Sequence, residues 1–254
     1  MKRTKCIIIT LIFCLMAFTP VFVYAEAYHI SDTDMNIQID DSLWYVFTRD
    51  NIMNNPELDE IGLSYDTTYD ILYNNEAYLY AVLFYDSGEF TELFVRKKPI
   101  DSGMVNLSNY DNDDVLELAE GLAKRQNAND FTVYENQYKF AKLEYTDSNL
   151  GYYVCEFATV VNKDNYTFTF QSASQFNDSE YVEIKNIIDS VRFDVDASLK
   201  EPKNTSFRST VITRTIGGAA AGAISGAIIA IVNKKKKKRV KNDAQSSYGN
   251  INIQ

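Results

Sequence analysis

Only one histidine, His29, occurs in the whole chain, and it stands close to the amino end. A nucleophile relay through imidazole and a histidine-based metal centre both need that ring in a rigid pocket, so a position in a flexible end argues against either. Other chemical signatures are missing as well. There is no Gly-x-Ser-x-Gly elbow, no glycine loop of the kind that cradles phosphate and no paired-cysteine motif. Cysteine is scarce: of the 3 present, Cys6 and Cys14 fall in the first 25 residues. A chain cut after Ala25 keeps Cys155 alone, so no intramolecular disulfide can staple the fold and the hydrophobic core must hold it. Cys155 lies in the strand-like run Tyr153-Val154-Cys155-Glu156-Phe157, where it reads as a small hydrophobe. Proline, at 4, is too sparse for a stiff stalk. No internal repeat is present.

Hydrophobic content of 46% and aromatic content of 13% exclude a disordered chain. The 18 Tyr and 15 Phe favour strands. The amino end has the parts of a signal peptide: Lys2, Arg3 and Lys5, an apolar stretch over 6–19, a break at Pro20, and Val23-Tyr24-Ala25 before the cut. Phe13 stands before Cys14, where a lipoprotein signal needs a small residue. At the other end, residues 216–232 carry no charge over 17 positions. At about 1.5 Å per residue that is about 25 Å, close to a hydrocarbon core of about 30 Å. The six cations of 234–239, beginning at Lys234 and closing with Arg239, are costly to translocate and place that end in the cytoplasm. The expected organisation is a signal peptide over 1–25, an extracytoplasmic domain over 27–195, a polar linker over 196–210, a transmembrane helix over 211–232 and a basic tail over 233–254. The expected location is the cell membrane, crossed once.

Gly218, Gly222 and Gly226 repeat every four residues, which puts them on one helix face and lets a second helix approach. They are the candidate face for homo-oligomer formation through the membrane. The basic tail suits anionic inner-leaflet lipid. Charge divides sharply along the chain. Setting aside the three cations of 1–25, and the seven cations and one anion after Asn233, leaves 15 cations against 34 anions, near −19 for the exported part. Such a surface excludes nucleic acid as a partner. Asp111, Asp113 and Asp114 lack the glycine and distal glutamate of a calcium loop and read as helix-capping charge. Asp32 and Asp34 read as a solvated lead-in. Carboxylates are too common for any pair to be singled out as catalytic. The sequence therefore names no catalytic residue, no cofactor and no metal.

The hydrophobic pattern predicts an α+β domain. Strands are expected over 35–39, 43–48, 76–85 and 89–97, the last two as a hairpin around Asp86-Ser87-Gly88. Short helices are expected over 56–61, opened by Asn54-Asn55, and over 67–73, capped by Asp66. A longer helix opens at Asp111 or Asn112, with Val115, Leu116, Leu118, Ala119, Leu122 and Ala123 as its apolar stripe. Strands follow over 131–134, 138–145, 151–161 and 166–172, with turns at Glu135-Asn136, Asp147-Ser148-Asn149 and Lys163-Asp164-Asn165. In the last strand Tyr166, Phe168 and Phe170 alternate with Thr167, Thr169 and Gln171, as in a half-buried antiparallel sheet. Asp178 is expected to cap a closing helix with Val182, Ile184, Ile187, Ile188 and Val191 turned to the sheet. Trp44, Tyr45, Tyr78, Tyr80 and Phe90, with further aromatics on the same strands, exceed what one strand face can bury, and form the candidate aromatic binding surface.

The order of these elements, from Ile37-Gln38-Ile39-Asp40-Asp41-Ser42-Leu43-Trp44-Tyr45-Val46-Phe47-Thr48-Arg49 through Leu116-Glu117-Leu118-Ala119 to Ile187-Ile188-Asp189-Ser190-Val191-Arg192-Phe193, resembles the PsbP-like fold family. More narrowly, the chain is similar to signal-plus-anchor membrane proteins of low-GC Gram-positive bacteria. The resemblance spans about residues 30–195 and carries no catalytic motif. It implies an antiparallel sheet flanked by helices and a binding or assembly role for an envelope protein or peptide. The alternative is a carboxylate-dependent hydrolytic enzyme of the cell surface.

Overall fold

The computed structural model describes residues 26–85, 87–100 and 103–200. Three strands open the fold: β1 (Glu26–Ile30), β2 (Met35–Ile39) and β3 (Trp44–Thr48). Two short helices follow, α1 (Pro56–Ile61) and α2 (Tyr65–Tyr69), and α2 runs into a π turn over Asp70–Asn74. Strands β4 (Ala77–Phe84) and β5 (Phe90–Pro99) form the expected hairpin. A 3₁₀ turn (Leu107–Asn109) and helix α3 (Asn112–Gln126) lead to the meander β6 (Asp130–Glu135), β7 (Lys139–Thr146), β8 (Tyr153–Val161) and β9 (Asp164–Ser172). Helix α4 (Asp178–Ser190) and the two-residue strand β10 (Arg192–Phe193) close the fold.

The main sheet has seven strands in the order β3-β4-β5-β9-β8-β7-β6, every pair antiparallel. The chain lays down β3 to β5, crosses by α3 to the far edge, and returns through β6 to β9 until β9 meets β5. A second sheet, β1-β2-β10, joins the two ends of the domain. The result is α+β, an antiparallel sheet with helices on both faces.

One face of the main sheet is uniformly apolar. Leu79, Ala81, Leu93, Val95, Phe140, Phe157, Phe168 and Phe170 meet Met35, Ile37 and Ile39 of β2, and Ile184, Ile187 and Ile188 of α4. Each large side chain removed from water here contributes about 1.5–3 kcal/mol. Phe140, Phe157, Phe168 and Phe170 also meet edge to face, at centroid distances of 6.1–6.3 Å. Helix α4 is capped by Asn177, not the expected Asp178, because the Asn177 side chain accepts from Ser179 N and Glu180 N and forms a capping box with Glu180. The other face is covered in two patches. Helix α3 packs its Val115, Leu118, Ala119 and Leu122 on Leu143, Val154 and Val160, while α1 and the π turn cover Phe47, Tyr80 and Phe94.

Several expectations are corrected. Helix α2 begins two residues early because Ser64, not Asp66, caps it: the Ser64 hydroxyl accepts from Thr67 N at 3.1 Å. Leu116 is 41% exposed and Val182 58% exposed, since each lies on the outer side of its helix. The β8–β9 turn is Asn162-Lys163, both at positive φ (54° and 69°), the primed hairpin geometry that asparagine tolerates. Thr167, Thr169 and Gln171 are buried, so β9 is covered on both faces and not half-buried. His29 lies in β1 paired with β2, not in a loose end, and its Nδ1 is 3.1 Å from Asn36 Oδ1. Asp34 is not a solvated lead-in, because Asn162 Nδ2 donates to its carboxylate at 2.9 Å. Of the two capping positions expected for α3, Asp111 is the one used, and it accepts from Asp114 N at 2.9 Å.

Candidate functional site

The five aromatics singled out from the sequence do not share a surface. Strand pleating sends Trp44 to the apolar face, where it is buried and its Nε1 donates to Glu183 at 3.3 Å. Tyr45 takes the opposite face and donates to Glu60 at 2.9 Å. Tyr80 and Phe90 are buried in the cluster that includes Leu58 and Ile61 of α1 and Ile71 and Leu72 of the π turn. Tyr78, at the bulge between Ala77 and Leu79, is half-buried. Core packing absorbs three of the five.

A different set of aromatics is exposed. Tyr65, Tyr69 and Tyr73 recur every four residues through α2 and the π turn, and so line one side of it. The three residues are 42%, 38% and 40% exposed. Tyr65 and Tyr69 lie 5.9 Å apart, and Tyr69 stacks on Tyr73 at 4.4 Å and 17°. The Arg49 guanidinium closes the row, 5.1 Å from the Tyr73 ring and 4.0 Å from the Tyr78 ring. It is fixed there by hydrogen bonds to Leu72 O (2.8 and 3.1 Å) and Ala77 O (3.3 Å). The opposite end of the row opens on a groove of about 550 Å³ lined by Ile52, Met53, Asn54, Asn55, Pro56, Leu58, Asp59 and Tyr65. The signal for this row was the four-residue spacing of tyrosine. Starting the helix at 67 left Tyr65 outside it.

Sequence reading also missed a buried polar row, at the centre of the sheet between the two helical covers. Glu92 of β5, and Glu156 and Thr169 of β8 and β9, all point to the side away from α4. Glu92 accepts from Tyr80 Oη at 2.9 Å and from Gln171 Nε2 at 2.6 Å. Burial raises its carboxyl to about 7, against the opposing pull of those two donors. Burial likewise raises Glu156 to about 7, while the charge of Arg96 pulls it down and Thr169 Oγ1 reaches within 3.5 Å. Burial lowers Arg96 from its ordinary value, with Glu156 acting against that. Arg96 donates through Nε to Asn75 O at 3.3 Å, and its Nη1 finds no acceptor among the described residues. Nearby, burial pushes the Cys155 thiol up to about 12, which makes it a poor nucleophile.

Glu92 stands opposite Gln171 and Glu156 opposite Thr169, with β9 between them. Two strand spacings and a two-residue offset put their backbones roughly 12 Å apart. Each carboxyl is engaged by its own partners. Among the described residues no group of three or more His, Cys, Asp or Glu is arranged to hold a metal.

No family model matches the sequence, and no curated protein matches it significantly. Among solved structures the chain is similar to the solution structure of cyanobacterial PsbP (CyanoP) from Synechocystis sp. PCC 6803, at 10% identity and a TM-score of 0.41. The match covers 69% of this chain and 95% of that one. At that score the likeness carries no argument, and the α+β description rests on the sheet itself. Among the described residues no helix is long and apolar enough to cross a membrane. The signal peptide, the helix of 211–232, Gly218, Gly222, Gly226 and the block from Lys234 to Arg239 lie outside the described residues.

Proposed function

We propose that the chain is a membrane-anchored extracytoplasmic binding or assembly module, of the signal-plus-anchor class, that holds an envelope protein or peptide. The observation that supports this is the exposed row Tyr65, Tyr69 and Tyr73 beside an open groove. Rigid tyrosines at a surface offer large contact area at low entropic cost, and unpartnered apolar surface of this kind marks contact sites. The acidic exterior adds selectivity against anionic surfaces. Affinity capture of the intact protein from membranes tests the reading. The expected result is an envelope partner that is lost when Tyr65→Ser, Tyr69→Ser and Tyr73→Ser are combined. Capture that is empty, or unchanged by the triple substitution, defeats it.

A hydrolytic reading draws on Glu92 and Glu156, both held near 7 on one side of the sheet. Against it, each carboxyl is engaged by its own partners, Glu92 by Tyr80 and Gln171 and Glu156 by Thr169, on opposite sides of β9. Turnover of a glycoside, ester or peptide by the full chain, abolished by Glu92→Gln or Glu156→Gln, would establish it.

A further inference from the structure

We propose that the groove at the Tyr65 end of the tyrosine row receives an arginine side chain from a basic polypeptide segment of the partner. This rests on the binding reading above and names the chemistry of the occupant.

The row already shows what its rings accept. At one end Arg49 lies between Tyr73 and Tyr78, within cation–π distance of both. At the other end the groove offers the same two elements, an aromatic ring from Tyr65 and an acceptor from Asp59, with the apolar Met53, Pro56 and Leu58 beside the stem of a long side chain. Among the described residues no ring other than Tyr69, which lies tilted at 37°, meets Tyr65, and no cation pairs with the Asp59 carboxylate. Arginine suits this pair better than lysine, since its flat guanidinium can stack on the ring while its fork meets a carboxylate.

The surrounding charge fits one sign of partner. Between Arg49 and Arg96 the sequence contains no Lys, Arg or His. Asp59, Glu57, Glu60, Asp66 and Asp70 are all exposed on α1, α2 and the start of the π turn. Burial, then the charges of Glu60, Asp41 and Glu26, raise the Glu57 carboxyl from its ordinary value, as expected where like charges gather. A field of this kind draws in a cationic segment and repels an acidic one.

The test uses the full-length chain in detergent micelles and a fluorescein-labelled peptide of alternating Arg and Ser. A peptide of alternating Glu and Ser is the control. The expected result is saturable binding of the Arg peptide only, weakened roughly ten-fold by Tyr65→Ser or Asp59→Asn and retained by Tyr65→Phe. Unchanged thermal unfolding of Tyr65→Ser shows that the loss is local. Equal binding by wild type and Tyr65→Ser, or no binding of the Arg peptide, overturns the inference. Capture from membranes of a partner without basic segments, dependent on Tyr69 and Tyr73, would leave the binding module standing and remove the arginine chemistry alone.

Discussion

The two faces of the main sheet differ in kind. Toward α4 the face is one continuous aromatic and aliphatic layer. Toward α1, α2 and α3 it is split into two apolar patches, with Glu92, Arg96, Glu156 and Thr169 buried between them. Both faces are equally closed to water, so the difference is one of energy and not of exposure. The apolar layer stabilises the fold without reference to pH. The polar row is stable only to the extent that its carboxyls are neutral or their partners are in place.

The largest effect expected from this contrast is on the apolar face. Phe168→Ala should cost about 3–5 kcal/mol, because the cavity would be lined by Phe140 and other rings that cannot collapse into it. Denaturant unfolding measures it, and a loss below about 1 kcal/mol would mean that this layer is not the rigid half. Next in size is a pH effect confined to the polar face. Glu92 and Glu156 stand near 7 in the folded chain, against about 4.3 when unfolded. Between those values the unfolded chain releases protons that the folded chain keeps. Stability therefore falls as pH rises from about 4.3 to about 7 and levels off above, by roughly 4 kcal/mol per carboxyl at most. Combining Glu92→Gln with Glu156→Gln should flatten that slope, and an equally steep profile in the double variant would show that both carboxyls ionise freely. The smallest effects belong to the outer sides of the covering helices. Leu116→Ser and Val182→Ser should each change stability by no more than about 0.5 kcal/mol, measured by thermal unfolding. A larger loss at either position would reveal a covering surface on that side.

Much of the fold was legible because strand alternation and helix caps are local signals. Met35, Ile37 and Ile39 alternate with Asn36 and Gln38, and the strand lies where that pattern puts it. A cap at Asp111 or Asn112 was equally plain, and the fold uses Asp111. The polar row was not legible, because in a strand Glu92 and Arg96 take the same parity as a solvent face would. Only the crossover through α3, which returns β9 beside β5, brings helices over both ends of that face and closes it. Trp44 and Tyr80 were misplaced for a related reason. A count of aromatics shows how many must be buried, but which face each takes depends on pairing with strands far along the chain. The tyrosine row failed by a two-residue error in one cap, since Ser64 and Asp66 are both acceptable capping residues.

Strand order also sets a timetable. Strand β5 has β4 on one side from the start, but its other neighbour, β9, begins only at Asp164. Strand β2 likewise waits for Arg192 and Phe193 before its second edge is paired. A chain delivered amino end first thus carries two open strand edges until nearly the whole domain has emerged, and such edges recruit other chains. Its folding is dominated by distant pairings and is correspondingly slow. A fragment ending before β9 leaves neither sheet closed, so the domain forms as one cooperative unit and has no stable shorter version to fall back on.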